Sequence, residues 1–188
     1  MLAVMLALGH SLAAATQKLA QLKPVAGRME RFGGNEQPLV FVDYAHTPDA
    51  LNKVLGSVRK HCQQALWVVF GCGGNRDTGK RALMGACAEQ WADYVIVTDD
   101  NPRFENSSDI VKDILSGCSR DAINRVSTSI EVIQNREQAI RSAISRAAVG
   151  DCIVIAGKGH EDYQEINGST IPFSDSACVL AALETRDK

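Results

Sequence analysis

No run of like charge occurs in this chain. Acidic and basic residues are interspersed and the formal charge is only −2, so there is neither the basic stripe of a nucleic-acid-binding protein nor an acidic interaction tail. The partner this implies is a small molecule. The cysteines at Cys62, Cys72, Cys87, Cys118, Cys152 and Cys178 show no CxxC pair and no metal-ligand spacing, which argues against a zinc site and against a disulfide framework. Several fall inside apolar runs such as Asp151-Cys152-Ile153-Val154-Ile155 and read as reduced, cytosolic core thiols. Internal repeats, low-complexity tracts and long linkers are also missing.

The first residues, Met1 to Leu8 followed by Ser11-Leu12-Ala13-Ala14-Ala15, imitate a signal peptide, but no Lys or Arg precedes the apolar run, the first being Lys18. The run is also too short to span a membrane. It reads instead as one helix that continues to Leu22 and stops before Pro24. Being apolar nearly all round, such a helix needs neighbours to cover it. The length of 188 residues fits one domain with a sizeable core.

Beyond Pro24, short β-branched runs alternate with longer helical stretches, the pattern of βαβ units. Strands are predicted at Leu39–Val42, Leu66–Phe70, Tyr94–Thr98 and Cys152–Ala156, with a weaker one near Val126–Ile133. The first four are almost continuously apolar, as parallel strands covered on both faces are. Thr47-Pro48-Asp49 combines an N-cap, a first-turn proline and an acid, opening a helix toward Arg59. Asn135-Arg136-Glu137-Gln138 fits a capping box ahead of Ala139–Ala148. Asn167-Gly168 between two short runs is a hairpin signal, and a last helix follows Ser174-Asp175. The expected fold is α/β: a Rossmann-like open, mostly parallel sheet with helices on both faces and an antiparallel hairpin or edge strand.

Each of the four strands runs into a polar or glycine-rich segment. These are Asp43-Tyr44-Ala45-His46-Thr47-Pro48, Gly71-Cys72-Gly73-Gly74-Asn75-Arg76-Asp77, Asp99-Asp100-Asn101-Pro102-Arg103 and Gly157-Lys158-Gly159-His160-Glu161-Asp162. In an open parallel sheet all of them emerge at the carboxyl ends of the strands, where ligands bind. The stretch Gly74-Asn75-Arg76-Asp77-Thr78-Gly79-Lys80-Arg81 approaches a P-loop, yet Arg81 stands where a Ser or Thr hydroxyl should hold magnesium. Neither glycine cluster follows G-x-G-x-x-G. The glycines are expected to let backbone approach a ligand while Arg76 faces a carboxylate or phosphate. His10 and His61 read as incidental. His46 and His160 sit on the crevice edge, where ligand contact and local hydrogen bonding are both open. Pro102 restricts Asn101 and makes Asp-Asn-Pro-Arg a rigid turn that can present Arg103 to a carboxylate.

At these motifs, together with Gly27-Arg28-Met29-Glu30, the chain resembles the Mur ligases, in particular those of the MurE type. The likeness runs from about Pro24 to the C-terminus, and residues 1–23 look like the last helix of the family's central ATPase domain, so the expected division is 1–23 and 24–188. Asp100-Asn101-Pro102-Arg103 matches the family's signature for diaminopimelate. The resemblance implies an enzyme that uses ATP and magnesium to phosphorylate the D-glutamate γ-carboxylate of UDP-N-acetylmuramoyl-L-alanyl-D-glutamate (UDP-MurNAc-L-Ala-D-Glu). The amine of meso-diaminopimelate then attacks the acyl phosphate, in the cytoplasm, with no nucleic-acid or membrane partner. By the family pattern Arg76, Asn101, Arg103, Gly157 and Glu161 hold diaminopimelate, with Asp100 and Pro102 completing the motif, while Arg28, Asp43 and His46 close over ATP.

Residue chemistry agrees with that assignment. Diaminopimelate is a double zwitterion, and Arg76, Arg103, Glu161 and the Gly157 carbonyl offer two cations, an anion and an acceptor. Lysine lacks the distal carboxylate and would leave a desolvated guanidinium unpaired, at a cost of about 2–5 kcal/mol. In relatives the phosphate loop, the magnesium ligands and the UDP-sugar domain lie upstream of residue 1. No catalytic residue and no metal ligand is therefore expected here, and the chain alone should be inactive. Two other readings compete: a free-standing nucleotide-binding α/β domain with an atypical P-loop, and a non-catalytic amino-acid-binding or interaction module.

Overall fold

The computed structural model describes residues 1–21, 25–118 and 128–186. The N-terminal segment forms two helices, α1 (Leu2–Ala7) and α2 (Leu12–Leu19), and not the single helix expected to reach Leu22. Gly9 breaks it by taking a left-handed φ of 84°, and the Ser11 side chain then accepts a hydrogen bond from the Ala14 amide and caps α2. α1 buries no residue and α2 buries only Ala15. The expected helix end at Leu22 and the division at residues 23 and 24 lie outside the described residues.

The chain then lays down β1 (Glu30–Gly33), β2 (Leu39–Asp43), α3 (Pro48–Arg59), β3 (Leu66–Phe70), α4 (Gly79–Trp91), β4 (Tyr94–Val97) and α5 (Ser107–Leu115). It continues with β5 (Ser129–Val132), α6 (Arg136–Arg146), β6 (Cys152–Ala156), β7 (Tyr163–Ile166), β8 (Ser169–Pro172) and α7 (Asp175–Arg186). The expected strand at Val126–Ile133 corresponds to β5; its first two residues lie outside the described range. Thr47 caps α3 through the Ala50 amide and Asn135 caps α6 through the Gln138 amide, as the local sequence predicts. The turn at Asn167-Gly168 places both residues at positive φ, 49° and 76°, the combination that matches hairpin twist.

Six strands form one sheet in the order β1-β2-β6-β3-β4-β5. The five from β2 to β5 in that order are parallel, and β1 adds an antiparallel edge against β2. Side chains alternate across the sheet. Val68, Phe70, Val95, Val97 and Val154 face Leu51 and Leu55 of α3, Met84 of α4 and Ile114 of α5. Val40, Val42, Val69, Ile96, Ile153 and Ile155 face Ile140 and Ile144 of α6 and Val179 and Leu183 of α7. Burial on both faces explains why these strands carry continuous apolar sequence. Because β6 lies between β2 and β3, the loops after β2, β6, β3 and β4 stand side by side at one edge of the sheet.

A buried ion pair fixes one end of this edge. Arg136, at the start of α6, donates from Nε and Nη2 to the two oxygens of Asp175 at the start of α7, at 2.7 and 2.8 Å. Nη2 also reaches the Ala156 carbonyl at 3.0 Å, and both side chains are fully buried. Two helix N-termini and the end of the central strand are thereby held together. Arg136→Ala should lower stability by about 3–5 kcal/mol, because it strands the Asp175 carboxylate in the core. Urea unfolding of the two proteins measures this; a loss below about 1 kcal/mol would show that water reaches the vacated site.

Candidate functional site

Lys158, a fully buried lysine in the turn after β6, organises the loop edge. Its Nζ donates to Asn101 Oδ1 at 2.8 Å and to the Tyr163 carbonyl at 2.7 Å. Asp100 Oδ1 and Glu161 Oε2 lie at 3.4 and 3.5 Å. Asn101 is itself 4% exposed; its Nδ2 donates to Glu161 Oε2 at 3.1 Å, and its Oδ1 also accepts the Glu165 amide at 3.0 Å. Asp100 Oδ1 has no hydrogen-bond partner among the described residues, so the nearby ammonium neutralises it without completing its bonding. Gly157 sits at φ 118°, and a methyl group there would come within 3.9 Å of the Asp100 carboxyl carbon. Asp100, Asn101, Gly157 and Glu161, four of the sequence-predicted residues, are thus one cluster around an unforeseen cation.

The two arginines join this cluster through Gly73. A Cβ built on Gly73 would lie 2.9 Å from Arg103 Nη1, 3.8 Å from Arg76 Cγ and 3.8 Å from the Asn101 carbonyl. Arg76 is exposed and has no polar partner among the described residues. Arg103 is held closely: Nη1 donates to the Gly74 carbonyl at 3.0 Å and Nε stands 2.7 Å from Glu165 Oε2. Its backbone takes φ 54°, uncommon for a residue other than glycine. That conformation is secured by Arg103 N donating to the Glu165 carbonyl at 2.9 Å and by the Asn167 amide donating to the Arg103 carbonyl at 2.7 Å. Pro102 supports the turn from the preceding position. A cleft of about 420 Å³ opens on the Phe104 side of this turn, lined by Asp99, Pro102, Arg103, Ser107 and Asn167 among others. Arg76, Asn101, Gly157 and Glu161 do not line it; Arg103 and Pro102 are the members of the cluster that border it.

The glycines after β3 act differently from expectation. Gly74 lacks a Cβ because one would sit 2.0 Å from the Pro102 carbonyl, so these glycines let two loops pack, not a loop and a ligand. The P-loop alternative fails on the same stretch. Gly74 N donates to the Asn101 carbonyl and Arg81 N to Thr78; Asn75 N donates to Glu105 and Gly79 N to Asp77. Those are four of the amides that would have to cradle phosphate. Lys80 Nζ is bonded to the His46 carbonyl at 2.8 Å. Arg81 is fully buried and clamps Glu105 with two bonds of 2.6 and 2.8 Å while reaching Asp113 at 2.8 Å.

On the other side of the Gly157–Glu161 turn lies a second group. Arg28 stacks over the Tyr44 ring at 4.4 Å, and the His46 and His160 rings lie 4.5 and 5.4 Å from it. His46 Nδ1 is 2.8 Å from the Tyr44 carbonyl. Asp43 is buried, its two oxygens accepting the Met29 and Ala45 amides at 2.8 and 2.9 Å. The carboxylate therefore ties the residue 27–30 loop to β2 whatever else it meets. Gly27 and Gly159 allow that loop to close against the turn, since a Cβ on Gly27 would collide with Gly159 and His160 backbone at 2.1 Å. Tyr44 was not singled out by sequence; its place inside the Asp43–Pro48 segment was the available signal. Among the described residues no group of three or more His, Cys, Asp or Glu side chains could hold a metal ion, and no helix is long and apolar enough to cross a membrane. All six cysteines are free, and burial pushes the Cys72 and Cys152 thiols up to about 12, which makes them inert.

Comparison with known proteins places this geometry. Residues 27–159 match the family model for the Mur ligase, glutamate ligase domain. A UDP-N-acetylmuramoyl-L-alanyl-D-glutamate–2,6-diaminopimelate ligase from Acidovorax sp. (strain JS42) is 51% identical over 98% of this chain, which spans 36% of that protein. A solved structure of a ligase of the same description superposes with a TM-score of 0.82 at 41% identity, over all of this chain and 37% of the other. The UDP-N-acetylmuramate–alanine ligase MurC of Thermotoga maritima shares the fold, with a TM-score of 0.64 at 16% identity, over 99% of this chain and 36% of its own. The chain thus spans little more than a third of the relatives it matches.

The Arg81 clamp carries a pH signature. Its hydrogen bonds hold the Glu105 carboxyl well below the usual range, at about 2. A depressed carboxyl stabilises the fold above its unfolded pKa and loses that contribution as pH falls toward the folded value. Glu105→Gln should therefore be less stable than the parent near neutral pH, and the gap should narrow at about pH 3. Urea midpoints at the two pH values test this; a constant gap would mean that the charge of Glu105 is not what Arg81 reads.

Proposed function

The chain belongs to the Mur ligase family, through its glutamate ligase domain, and we propose on that premise that it is the amino-acid-binding part of a ligase joining meso-diaminopimelate to UDP-MurNAc-L-Ala-D-Glu. The observation that carries this reading is the cluster of Asn101, Glu161 and Arg103 beside Arg76, which is exposed and without a polar partner among the described residues. Two guanidinium groups suit the two carboxylates of diaminopimelate, and Glu161 with the Gly157 carbonyl suits its ammonium groups. Rigid mounting matters here: the amine must be delivered to an acyl carbon in attack geometry, and fixed partners remove the orientational cost.

ATP would supply the phosphoryl group that converts the D-glutamate γ-carboxylate to an acyl phosphate, with ADP leaving, and the diaminopimelate amine would then displace phosphate and give up a proton as the amide bond forms. For the nucleotide, the exposed Arg28 guanidinium and the Tyr44, His46 and His160 rings provide a cation and stacking faces next to the amino-acid cluster; Asp43 braces them. No magnesium ligand is assigned to this chain. The six free thiols support a reducing, cytoplasmic setting. With phosphate-cradling amides already bonded, the chain alone should release no phosphate above blank when given ATP, UDP-MurNAc-L-Ala-D-Glu and diaminopimelate; turnover would overturn this division of labour.

The direct test is calorimetric titration of the chain with meso-diaminopimelate and with lysine. Binding should favour diaminopimelate, and Arg103→Ala should weaken it by about 2–5 kcal/mol. Arg103→Lys should rescue poorly, since an ammonium lacks the planar fork. Equal affinities for the two amino acids would remove the reading.

A further inference from the structure

Arg103 is aimed by a residue outside the turn that carries it. Glu165 belongs to β7, beyond the span 27–159 matched to the ligase domain, and is tied to the Asn101–Arg103 turn in three ways, two of them to Arg103 itself. Its carbonyl accepts the Arg103 amide, its own amide is held by Asn101 Oδ1, and its carboxylate lies 2.7 Å from Arg103 Nε. With Nη1 on the Gly74 carbonyl, two of the three guanidinium nitrogens are engaged by different segments of the chain. Nη2 has no partner among the described residues. A planar cation gripped in this way cannot swing, and only its remaining end is left to meet a ligand.

We propose that Glu165 is a positioning residue that fixes the direction of the Arg103 guanidinium and thereby sets the preference for an amino acid with a distal carboxylate over one without it. The inference rests on the reading of Arg103 as a carboxylate ligand. It divides labour between the two arginines. Arg76, exposed and unpaired among the described residues, contributes charge, whereas Arg103, already facing an anion, contributes geometry.

Charge and positioning predict opposite signs. Deleting an anion beside Arg103 should tighten binding of a dicarboxylate if the local potential decides affinity. If aim decides it, binding should weaken, because a freed guanidinium must be reordered for each ligand. The Glu165 side chain is partly exposed, about a third, so its removal is tolerable to the fold.

The experiment is titration of the chain and of Glu165→Ala, Glu165→Gln and Arg103→Ala with meso-diaminopimelate and lysine, alongside thermal unfolding. Glu165→Ala should weaken diaminopimelate binding about tenfold and lysine binding far less. Glu165→Gln, which keeps an oxygen against Nε, should return to within about threefold of the parent. Tighter or unchanged diaminopimelate binding in Glu165→Ala overturns the proposal. So does a parallel loss for both ligands, which is what a hairpin anchor alone would give, or a Gln variant no better than Ala. If Arg103→Ala also leaves the preference untouched, or the parent chain binds neither ligand, the amino-acid site itself fails; if Arg103→Ala abolishes the preference and Glu165→Ala does not, only the positioning role fails.

Discussion

A lysine ammonium with no access to water must find its partners in the protein, and Lys158 finds all of them in the candidate site. Its bonds to Asn101 Oδ1 and the Tyr163 carbonyl, with Asp100 and Glu161 within 3.5 Å, draw the loop after β4 and the start of β7 onto the turn after β6. Without that cation, Asp100 and Glu161 would be two carboxylates facing each other at the edge of a low-dielectric core. Asn101 would lose one of the two donors that fix its side-chain oxygen, the other being the Glu165 amide. The pair Arg136–Asp175 braces the same edge from below, and the Arg81–Glu105 clamp braces it from the side. Three buried cationic side chains therefore hold the loops around Arg76 and Glu161, the residues proposed to meet the ligand.

Strand order explains why this works. The loops after β2, β6, β3 and β4 are consecutive across the sheet because β6 is inserted centrally, so the Gly157–Glu161 turn borders both groups. On one side it meets Asn101 and the arginines; on the other it packs against Tyr44 and the residue 27–30 loop. The proposed amino-acid surface and the proposed nucleotide-facing surface then share one short, glycine-bearing wall.

Much of the architecture was legible in the sequence because it follows from periodicity and capping. Apolar β-branched runs marked the strands, Thr47 and Asn135 marked helix starts, and Asn167-Gly168 marked the hairpin. Glu30–Gly33 was not assigned as a strand, since four half-exposed residues carry no apolar alternation, and Gly9 was not weighed as a helix break. Within the site, the four segments and their meeting at one sheet edge were readable, as were the arginines and Glu161. The groups that hold them were not. Lys158, Arg81 and Arg136 are buried charges whose burial depends on partners distant in sequence, Arg136 on Asp175 for example, and a lone cation in a list of residues reads as surface. Gly74 likewise carried a backbone-approach signal whose object, Pro102 rather than a ligand, only the fold could supply.

The proposed ligand, an amino acid with two carboxylates and two ammonium groups, seats on the Lys158-centred cluster. Nitrogen-15 NMR of the chain during titration with meso-diaminopimelate reads that seat directly, through the side-chain signals of Asn101 Nδ2 and of Arg76 and Arg103 Nε. The account predicts that these three shift saturably with diaminopimelate and much less with lysine, while signals around Lys112 and Leu115 on the far side of α5 stay still. Shifts that spare the three nitrogens, or that appear equally with lysine, would contradict it.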